Sequence, residues 1–288
     1  MSSSTPQSPT PTPQSHATRP SRVVFNRRVG PGWYTLRLEE ATIAQVSRAG
    51  QFVQVKTADR SSFDPLLRRP FSVYDVDRER GTYDLLYTAV GRGTRWLADI
   101  PDSPGTMVEV EGPFGNTFTA PTDRDSIYLV GGGVGVAPLY LFARELLASR
   151  SALPRITLCM GARTREQLQG IDEFRRLSLR CEVATDDGSE GFHGRVTQLF
   201  ATLAERDREP LRVYGCGPQG MNESLRAIAV ERSYPTEICV ESLMACGFGV
   251  CFGCVLPIRK KPGGDFYNRR TCYEGPVFDA RLLHPGIE

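Results

Sequence analysis

Four cysteines near the carboxyl end of the chain have a spacing suited to iron–sulfur chemistry. Cys246, Cys251 and Cys254 follow the pattern C-x4-C-x2-C, and seventeen residues separate Cys254 from Cys272. This spacing matches the plant-type [2Fe-2S] arrangement. Glycines between the cysteines let the backbone wrap closely around inorganic sulfide. The sequence therefore predicts that these four thiolates hold a [2Fe-2S] cluster.

Two other interpretations of the same cysteines fit less well. Zinc sites of four cysteines usually contain two C-x2-C pairs, and the x4 spacing with its glycines departs from that pattern. Disulfides are disfavoured because residues 1–20, rich in Ser, Thr, Pro and Gln, lack the apolar core of a secretory signal. A cytoplasmic, reducing setting is expected. The other cysteines, Cys159, Cys181, Cys216 and Cys239, are interpreted as small buried apolar residues, and only Cys216 has a motif around it.

Two segments have the chemistry of a flavin site. Arg69-Pro70-Phe71-Ser72 begins a β-rich run, where an arginine can grip a phosphate and a serine can bond the polar edge of a flavin. Leu86-Tyr87-Thr88 precedes a helix that opens with Gly91-Arg92-Gly93-Thr94, whose N–H groups suit a pyrophosphate. Each segment alone is a weak signal, since the first is common at strand starts and the second can be a tight turn capped by Thr94.

Two further segments are typical of a nicotinamide dinucleotide site. Gly131-Gly132-Gly133-Val134-Gly135 lies between a predicted strand and a helix, where small residues let the backbone approach the ligand. Cys216-Gly217-Pro218 ends a later strand, and its sulfur either lies beside a nicotinamide or is simply buried. Thr185-Asp186-Asp187-Gly188 is an acidic turn or a ribose contact, with the turn favoured. Arg163 is a surface residue or a contact for a 2'-phosphate, so NAD and NADP stay open.

The pattern of apolar residues changes along the chain and predicts several domains. Short alternating runs up to about residue 120 predict an antiparallel β-barrel with one helix over residues 94–100. Strands then alternate with helices over 138–149, 165–178 and 219–231, which predicts an α/β domain with a parallel sheet. We expect a disordered tail over 1–20, the barrel over 21–120, the α/β domain over 121–240 and a small cluster module over 241–288. The basic run 259–261 is expected at a hairpin tip.

The composition excludes some partners without naming one. The 288 residues carry 35 Lys and Arg against 33 Asp and Glu, a net charge of +2, which is too small to indicate nucleic acid or an anionic membrane as the main partner. The longest run without charge is shorter than about 20 apolar residues and contains several glycines, so no transmembrane segment is expected.

Taken in order, these motifs resemble the ferredoxin-NADP reductase superfamily, and the terminal cysteines narrow the resemblance to the electron-transfer subunits of dihydroorotate dehydrogenase B. It covers about residues 23–278. It implies an FAD-binding barrel, an NAD-binding α/β domain and a C-terminal [2Fe-2S] module. Thr88 and Phe114 depart from the residues expected at those positions of the family.

The resemblance also implies a function and a partner. Electrons would pass from the FMN of a catalytic subunit that oxidises dihydroorotate, through the cluster and FAD, to NAD+, in pyrimidine (UMP) biosynthesis. Two copies of each subunit would form a heterotetramer, and no acid–base residue is expected on this chain. The alternatives are the small subunit of an NADH-dependent ferredoxin NADP oxidoreductase or sulfide dehydrogenase, and an iron–sulfur scaffold whose nucleotide site is degenerate.

Overall fold

Three sheets form the framework of the protein in a computed structural model, which describes residues 17–59, 61–122, 125–149 and 155–286. Most of the predicted tail, residues 1–16, lies outside the described residues. Arg19 and Pro20, which the sequence placed in that tail, belong instead to the first strand, because they pair with Val110 and Glu109.

The first sheet is a closed six-stranded antiparallel barrel, as predicted, with the strand order β1-β2-β5-β4-β3-β6. Alternate residues along its strands point inward and fill its interior, and among them Leu36, Leu38 and Leu85 are fully buried. Its strands are β1 (Arg19–Gly30), β2 (Trp33–Glu39), β3 (Phe52–Val55), β4 (Arg69–Asp77), β5 (Thr82–Thr88) and β6 (Met107–Phe114).

Two short helices accompany the barrel. The predicted helix over 94–100 is α2 (Arg92–Asp99), which begins two residues earlier than expected. The sequence analysis missed α1 (Ala41–Val46). Its N-cap is Glu40, whose carboxylate accepts a hydrogen bond from the backbone N–H of Ile43 at 2.7 Å, and Glu is not among the residues that usually signal a helix start.

The second sheet has the predicted parallel α/β architecture, and six of its strands run parallel in the order β10-β9-β8-β7-β11-β12. The strands are β7 (Ser126–Gly132), β8 (Ile156–Ala162), β9 (Arg180–Thr185), β10 (Phe192–His193), β11 (Leu211–Cys216) and β12 (Thr236–Cys239). The helices are α3 (Val136–Ala148), α4 (Ile171–Arg176), α5 (Val196–Ala204) and α6 (Gln219–Arg232).

One predicted helix of this domain was wrong in extent. The helix expected over 165–178 is broken into a 3-10 turn, Arg165–Gln167, and the short helix α4. The break falls at Gly170, whose φ of 88° lies in the left-handed region that glycine adopts without steric cost.

The C-terminal region is small and is tied into the second sheet. It contains the hairpin β13 (Val255–Arg259) and β14 (Phe266–Arg270), the helical turn α7 (Thr271–Glu274) and β15 (Val277–Asp279). Lys260 and Lys261 lie at the hairpin tip, as expected. Strand β15 pairs antiparallel with β12 and so becomes the seventh strand of the second sheet. The C-terminal region is therefore joined to the sheet of the α/β domain through the pairing of β15 with β12.

The barrel and the second sheet meet through helix α3. The Tyr140 ring on α3 stacks on Tyr74 of β4, with 4.7 Å between the ring centroids. Arg144 of α3 forms an ion pair with Asp75 of β4. These contacts pack α3 of the parallel-sheet domain against strand β4 of the barrel. Within the described parts of the chain, none of the helices has both the length and the apolar character needed to cross a bilayer.

Candidate functional site

A cavity of about 240 Å³ lies where the barrel, the parallel sheet and the C-terminal region meet. Eight of the residues predicted to bind cofactors line it: Pro70, Phe71, Ser72, Leu86, Tyr87, Thr88, Thr94 and Cys216. The structure thus brings the two flavin motifs and the Cys216 motif to one place. The other predicted residues are not among the cavity-lining residues. Arg69, Gly93, Gly133 and Gly217 each adjoin a lining residue in the sequence, and Gly132 lies two residues before the lining residue Val134.

Strands β4 and β5 form the barrel side of this cavity. Tyr87 is held from three directions: its hydroxyl donates a hydrogen bond to Asn26 Oδ1 at 3.0 Å, and its ring centroid lies 5.5 Å from that of Tyr34 and 5.7 Å from that of Phe71. Burial raises the pKa of Tyr87, so the phenol remains protonated and neutral. The wall is therefore rigid, aromatic and uncharged.

The start of helix α2 forms the next part of the site. The Gly91 N–H donates to Thr94 Oγ1 at 3.0 Å. This is the Thr94 cap that the sequence analysis gave as the alternative to a pyrophosphate site. Gly93 lies on Thr57, and a Cβ at Gly93 would come within 2.5 Å of Thr57 Oγ1. The Thr57 hydroxyl is buried and has no hydrogen-bond partner. An unpartnered hydroxyl beside a helix start fits a phosphate group.

Arg69 stands at the same end of the site. Its Nη1 donates to the backbone carbonyl of Leu67 at 2.6 Å, and its Cγ would lie 3.5 Å from a Cβ at Gly93. The Arg69 side chain therefore lies near the start of α2 but does not line the cavity.

The glycines after β7 allow this segment to contact the backbone at the end of β11. A Cβ at Gly135 would lie 2.4 Å from the carbonyl oxygen of Cys216, and one at Gly132 would lie 2.9 Å from the sulfur of Met221. A Cβ at Gly217 would lie 3.1 Å from the backbone N of Gly132, whereas Gly133, with a φ of 56°, has open space around it. This corner suits a ligand that lies close to the main chain at the carboxyl edge of a parallel sheet.

Cys216 and Cys239 are partners in this wall. They pair in register on the parallel strands β11 and β12, and both line the cavity. A hydrogen bond between the two thiols, together with burial, holds the pKa of Cys216 well above its usual range. The Cys216 sulfur is thus a neutral thiol facing the cavity.

The sequence analysis missed the wall that follows Cys239. Val240, Glu241, Ser242 and Met244 also line the cavity. Glu241 has the only ionisable carboxyl among the described lining residues, and the surrounding protein raises its pKa by restricting its contact with water. No motif marks these residues. The signal that could have found them is their position directly after a strand of the parallel sheet.

The four predicted ligand cysteines come together as two pairs. The Cys246 and Cys251 thiols are hydrogen-bonded, and so are the Cys254 and Cys272 thiols, with Cys246 close enough to Cys272 to act on it electrostatically. Burial raises the pKa of Cys246, but hydrogen bonds from the backbone N–H groups of Cys251, Phe248 and Val250 outweigh burial and hold that pKa at about 7. In the same loop the Gly253 N–H donates to the Cys251 sulfur at 3.4 Å, so a backbone donor points at one of the four sulfurs.

This arrangement fits a two-iron cluster better than a single ion. A zinc site would require four thiolates around one point, whereas a [2Fe-2S] cluster takes four cysteines distributed over two irons. In addition, both polar atoms of the fully buried Gln54 amide lack partners, and this amide packs against Gly247 of the loop. A polar cluster beside the loop would satisfy it.

The cluster region and the cavity share a wall. Phe52 and Met244 line the cavity, and they also pack with buried Cys254 and Cys272. Phe114, the residue that departs from the family pattern, is fully buried in the same group, and its ring centroid lies 6.3 Å from that of Phe248. Single side chains therefore separate the cavity from the cluster cysteines.

Comparison with known proteins identifies two domains of the chain. Residues 241–284 match the family model "Iron-sulfur cluster binding domain of dihydroorotate dehydrogenase B", and residues 129–227 match "Oxidoreductase NAD-binding domain". In structure, the chain is similar to an NADH-dependent reduced ferredoxin-NADP oxidoreductase, with a TM-score of 0.79 and 26% identity over 94% of this chain and 92% of the other. Fold and site together define a reductase-type, NAD-linked oxidoreductase subunit that carries an iron–sulfur domain.

Relatives in sequence identify the family more narrowly. The "Dihydroorotate dehydrogenase B (NAD(+)), electron transfer subunit" of Desulforamulus reducens is 35% identical over 260 residues, which cover 90% of this chain and 95% of the relative. The protein of the same name from Geobacillus kaustophilus is 38% identical over 263 residues, with the same coverage. The chain belongs to this family of electron-transfer subunits. The family name implies a catalytic partner subunit, and the predicted FAD, [2Fe-2S] cluster and NAD are supported by the fold and the two matched domains.

Proposed function

We propose that this chain transfers electrons from the FMN of a dihydroorotate-oxidising catalytic subunit, through a [2Fe-2S] cluster and FAD, to NAD+, as a step of pyrimidine biosynthesis. The observation that carries the proposal is the shared wall of Phe52 and Met244, which places the cluster cysteines directly behind the cavity. Electrons that arrive at the cluster then need cross only this wall.

The cofactor roles of individual residues are part of the proposal. Cys246, Cys251, Cys254 and Cys272 hold the cluster. Pro70, Phe71, Ser72, Leu86, Tyr87 and Thr88 bind the flavin ring, and Arg69, Gly93 and Thr94 bind its phosphates together with the Thr57 hydroxyl. Gly132, Gly133, Cys216 and Gly217 bind the nicotinamide dinucleotide. The cavity chemistry supports these roles, because it offers aromatic walls to a flat ring and glycine-lined backbone to a dinucleotide.

FAD, when bound, supplies exchange between one-electron and two-electron transfer, which neither an iron–sulfur cluster nor nicotinamide provides alone. The residues of this chain supply placement. The rigid wall around Tyr87 fixes the plane of the flavin ring, and the neutral Cys216 thiol offers an uncharged contact to the nicotinamide. The apolar side chains of Phe71 and Leu86 exclude water from the space between the flavin and the nicotinamide. Of the described lining residues, only Glu241 has a carboxyl group.

The partner and the setting complete the proposal. We place the chain in the cytoplasm as a heterotetramer with two copies of each subunit, with the domain boundaries near residues 20, 120 and 240. Four of the eight cysteines belong to the proposed cluster site, three in the loop and Cys272 in α7, and cysteines grouped for metal binding are typical of a reducing compartment.

The decisive experiment is anaerobic co-expression with the candidate catalytic chain. We expect the two chains to purify together and to reduce NAD+ when dihydroorotate is added. A variant with Cys251→Ser should bind FAD and transfer electrons from NADH to a dye, but should not couple dihydroorotate to NAD+. Cys181→Ser, which alters a cysteine outside the loop, should behave as the wild type.

A second function is favoured by one observation, the structural similarity to the NADH-dependent ferredoxin-NADP oxidoreductase. In that case the flavin and cluster would form and dye reduction with NADH would be normal, but dihydroorotate would support no reduction of NAD+ with any co-purified chain. A cluster without bound flavin would instead indicate an iron–sulfur scaffold.

A further inference from the structure

Gln54 lies on the face of strand β3 that is turned toward the cluster cysteines. Side chains alternate along a strand, so Phe52 and Gln54 share one face of β3 while Val53 and Val55 share the other. Val53 and Val55 are fully buried in the apolar core that fills the barrel, whereas Phe52 packs against Cys254. Gln54 is therefore a polar residue on the cluster side of the barrel wall.

The amide of Gln54 is buried against the first turn of the cluster loop. Within the described parts of the chain, neither its Nε2 nor its Oε1 has a hydrogen-bond partner, and the side chain is fully buried. The amide contacts the loop backbone, since a Cβ on Gly247 would come within 2.3 Å of Nε2. Gly247 directly follows Cys246, the first of the four ligand cysteines. Because buried polar groups are nearly always paired in native proteins, an amide in this position calls for a polar partner beside Cys246.

A second buried glutamine near Gln54 shows the usual arrangement. Gln51 Nε2 donates to the carbonyl oxygen of Gly115 at 3.1 Å, and its Oε1 accepts from the backbone N–H of Arg48 at 3.0 Å. The described residues thus satisfy the amide of Gln51 but not that of Gln54. Gln51 is therefore a matched control for the loss of a buried amide at this end of the barrel.

The sulfurs of an iron–sulfur cluster suit the donor groups of the Gln54 amide. Thiolates and inorganic sulfide accept hydrogen bonds, and an amide nitrogen has two N–H groups to donate. Hydrogen bonds to cluster sulfurs stabilise the reduced, more negative state and so raise the reduction potential. We propose that the Gln54 amide donates a hydrogen bond to a sulfur of the cluster beside Cys246 and thereby raises the reduction potential of the cluster. The inference rests on the proposed function, since it requires that the four cysteines hold a [2Fe-2S] cluster.

EPR-monitored redox titration of the anaerobic full-length chain measures the midpoint potential of the cluster. Gln54→Leu removes the donor, and it should shift the reduction equilibrium about tenfold toward the oxidised cluster, which corresponds to about 59 mV for one electron. Gln54→Glu keeps the shape of the side chain but replaces the donor with a carboxylate. It should lower the potential further, because a nearby negative charge disfavours added negative charge.

Gln51→Leu removes a buried amide whose partners belong to the protein, so this variant should keep the wild-type potential. Two results would overturn the inference. One is a wild-type potential in Gln54→Leu. The other is an equal shift in Gln54→Leu and Gln51→Leu, because the loss of any buried amide in this region would then explain the effect.

A measurement without a change at position 54 decides the question if the Gln54 variants bind no iron. When the side-chain amides of glutamine carry ¹⁵N, pulsed EPR of the reduced wild-type cluster should detect coupling to an amide nitrogen, and Gln51→Leu should retain this coupling. A wild type that gives the cluster signal without the coupling would overturn the inference. Failure of the proposed function is distinguishable, because the wild type would then contain no iron or labile sulfide.

Discussion

Gln54 and Gly247 connect the barrel to the cluster loop. Gln54 is fully buried in strand β3, and its amide lies so close to Gly247 that a Cβ there would come within 2.3 Å of its Nε2. Gly247 also has a φ of 80°, in the left-handed region. The Gln54 side chain therefore packs against the loop only because position 247 has no side chain.

Replacing that glycine should remove the cluster. Gly247→Ala adds both a steric clash and about 1 kcal/mol of left-handed backbone strain, so we expect most of the bound iron and labile sulfide to be lost. Gly263→Ala is the control, because Gly263 has a similar φ of 75° but nothing within 4 Å of its Cβ position. Equal iron content in the two variants would contradict the importance of the Gln54 contact.

Loss of a cluster ligand should separate the two cofactor sites. Cys272 is fully buried beside Cys254, and a serine there offers a hard oxygen in place of a thiolate. In Cys272→Ser, the visible absorption of the cluster should disappear while flavin absorption and dye reduction by NADH persist. Loss of flavin together with iron would show that the FAD site depends on the cluster loop for its folding.

The glycine corner after β7 should govern NADH binding alone. A Cβ on Gly135 would overlap the Cys216 backbone, and overpacking of this kind costs typically about 1–3 kcal/mol. Gly135→Ala should therefore weaken NADH binding by about tenfold or more, seen as a raised KM in dye reduction. Iron and flavin contents should be normal. Gly220→Ala, at a position with open space, should leave the KM unchanged.

Buried tyrosines should make the fold sensitive to alkaline pH. Burial raises the pKa of Tyr83, whose hydroxyl is hydrogen-bonded with Ser21 Oγ at 3.1 Å. Above about pH 10 the unfolded chain loses this proton and the folded chain keeps it, so Tyr83 reduces the free energy of unfolding by up to about 1.4 kcal/mol per pH unit.

Urea denaturation between pH 7 and 11 measures this effect. Tyr83→Phe should cost about 1 kcal/mol at pH 7, because the hydrogen bond to Ser21 is lost, and its stability should fall less steeply above pH 10. Tyr267→Phe, at a side chain that is 45% exposed, serves as the control. Identical slopes in Tyr83→Phe and the wild type would argue against a protonated, buried Tyr83.

The sequence predicted what depends on local spacing. The cysteine pattern, the barrel and the parallel sheet follow from short-range periodicity, and the structure brings eight predicted cofactor residues to one cavity. What it could not predict depends on packing between distant segments. Gln54 meets the loop only because of the barrel register, Glu241 faces the cavity only because β12 joins the sheet, and the three-residue β15 has no periodicity of its own.

The most direct measurement of the central claim is EPR spectroscopy of the anaerobically purified chain after addition of NADH. The account predicts that NADH bleaches the flavin absorption and produces the signal of a reduced [2Fe-2S] cluster, because electrons can cross the wall of Phe52 and Met244 in either direction. A chain whose flavin is bleached by NADH while its cluster stays oxidised, or which contains no iron, would contradict it.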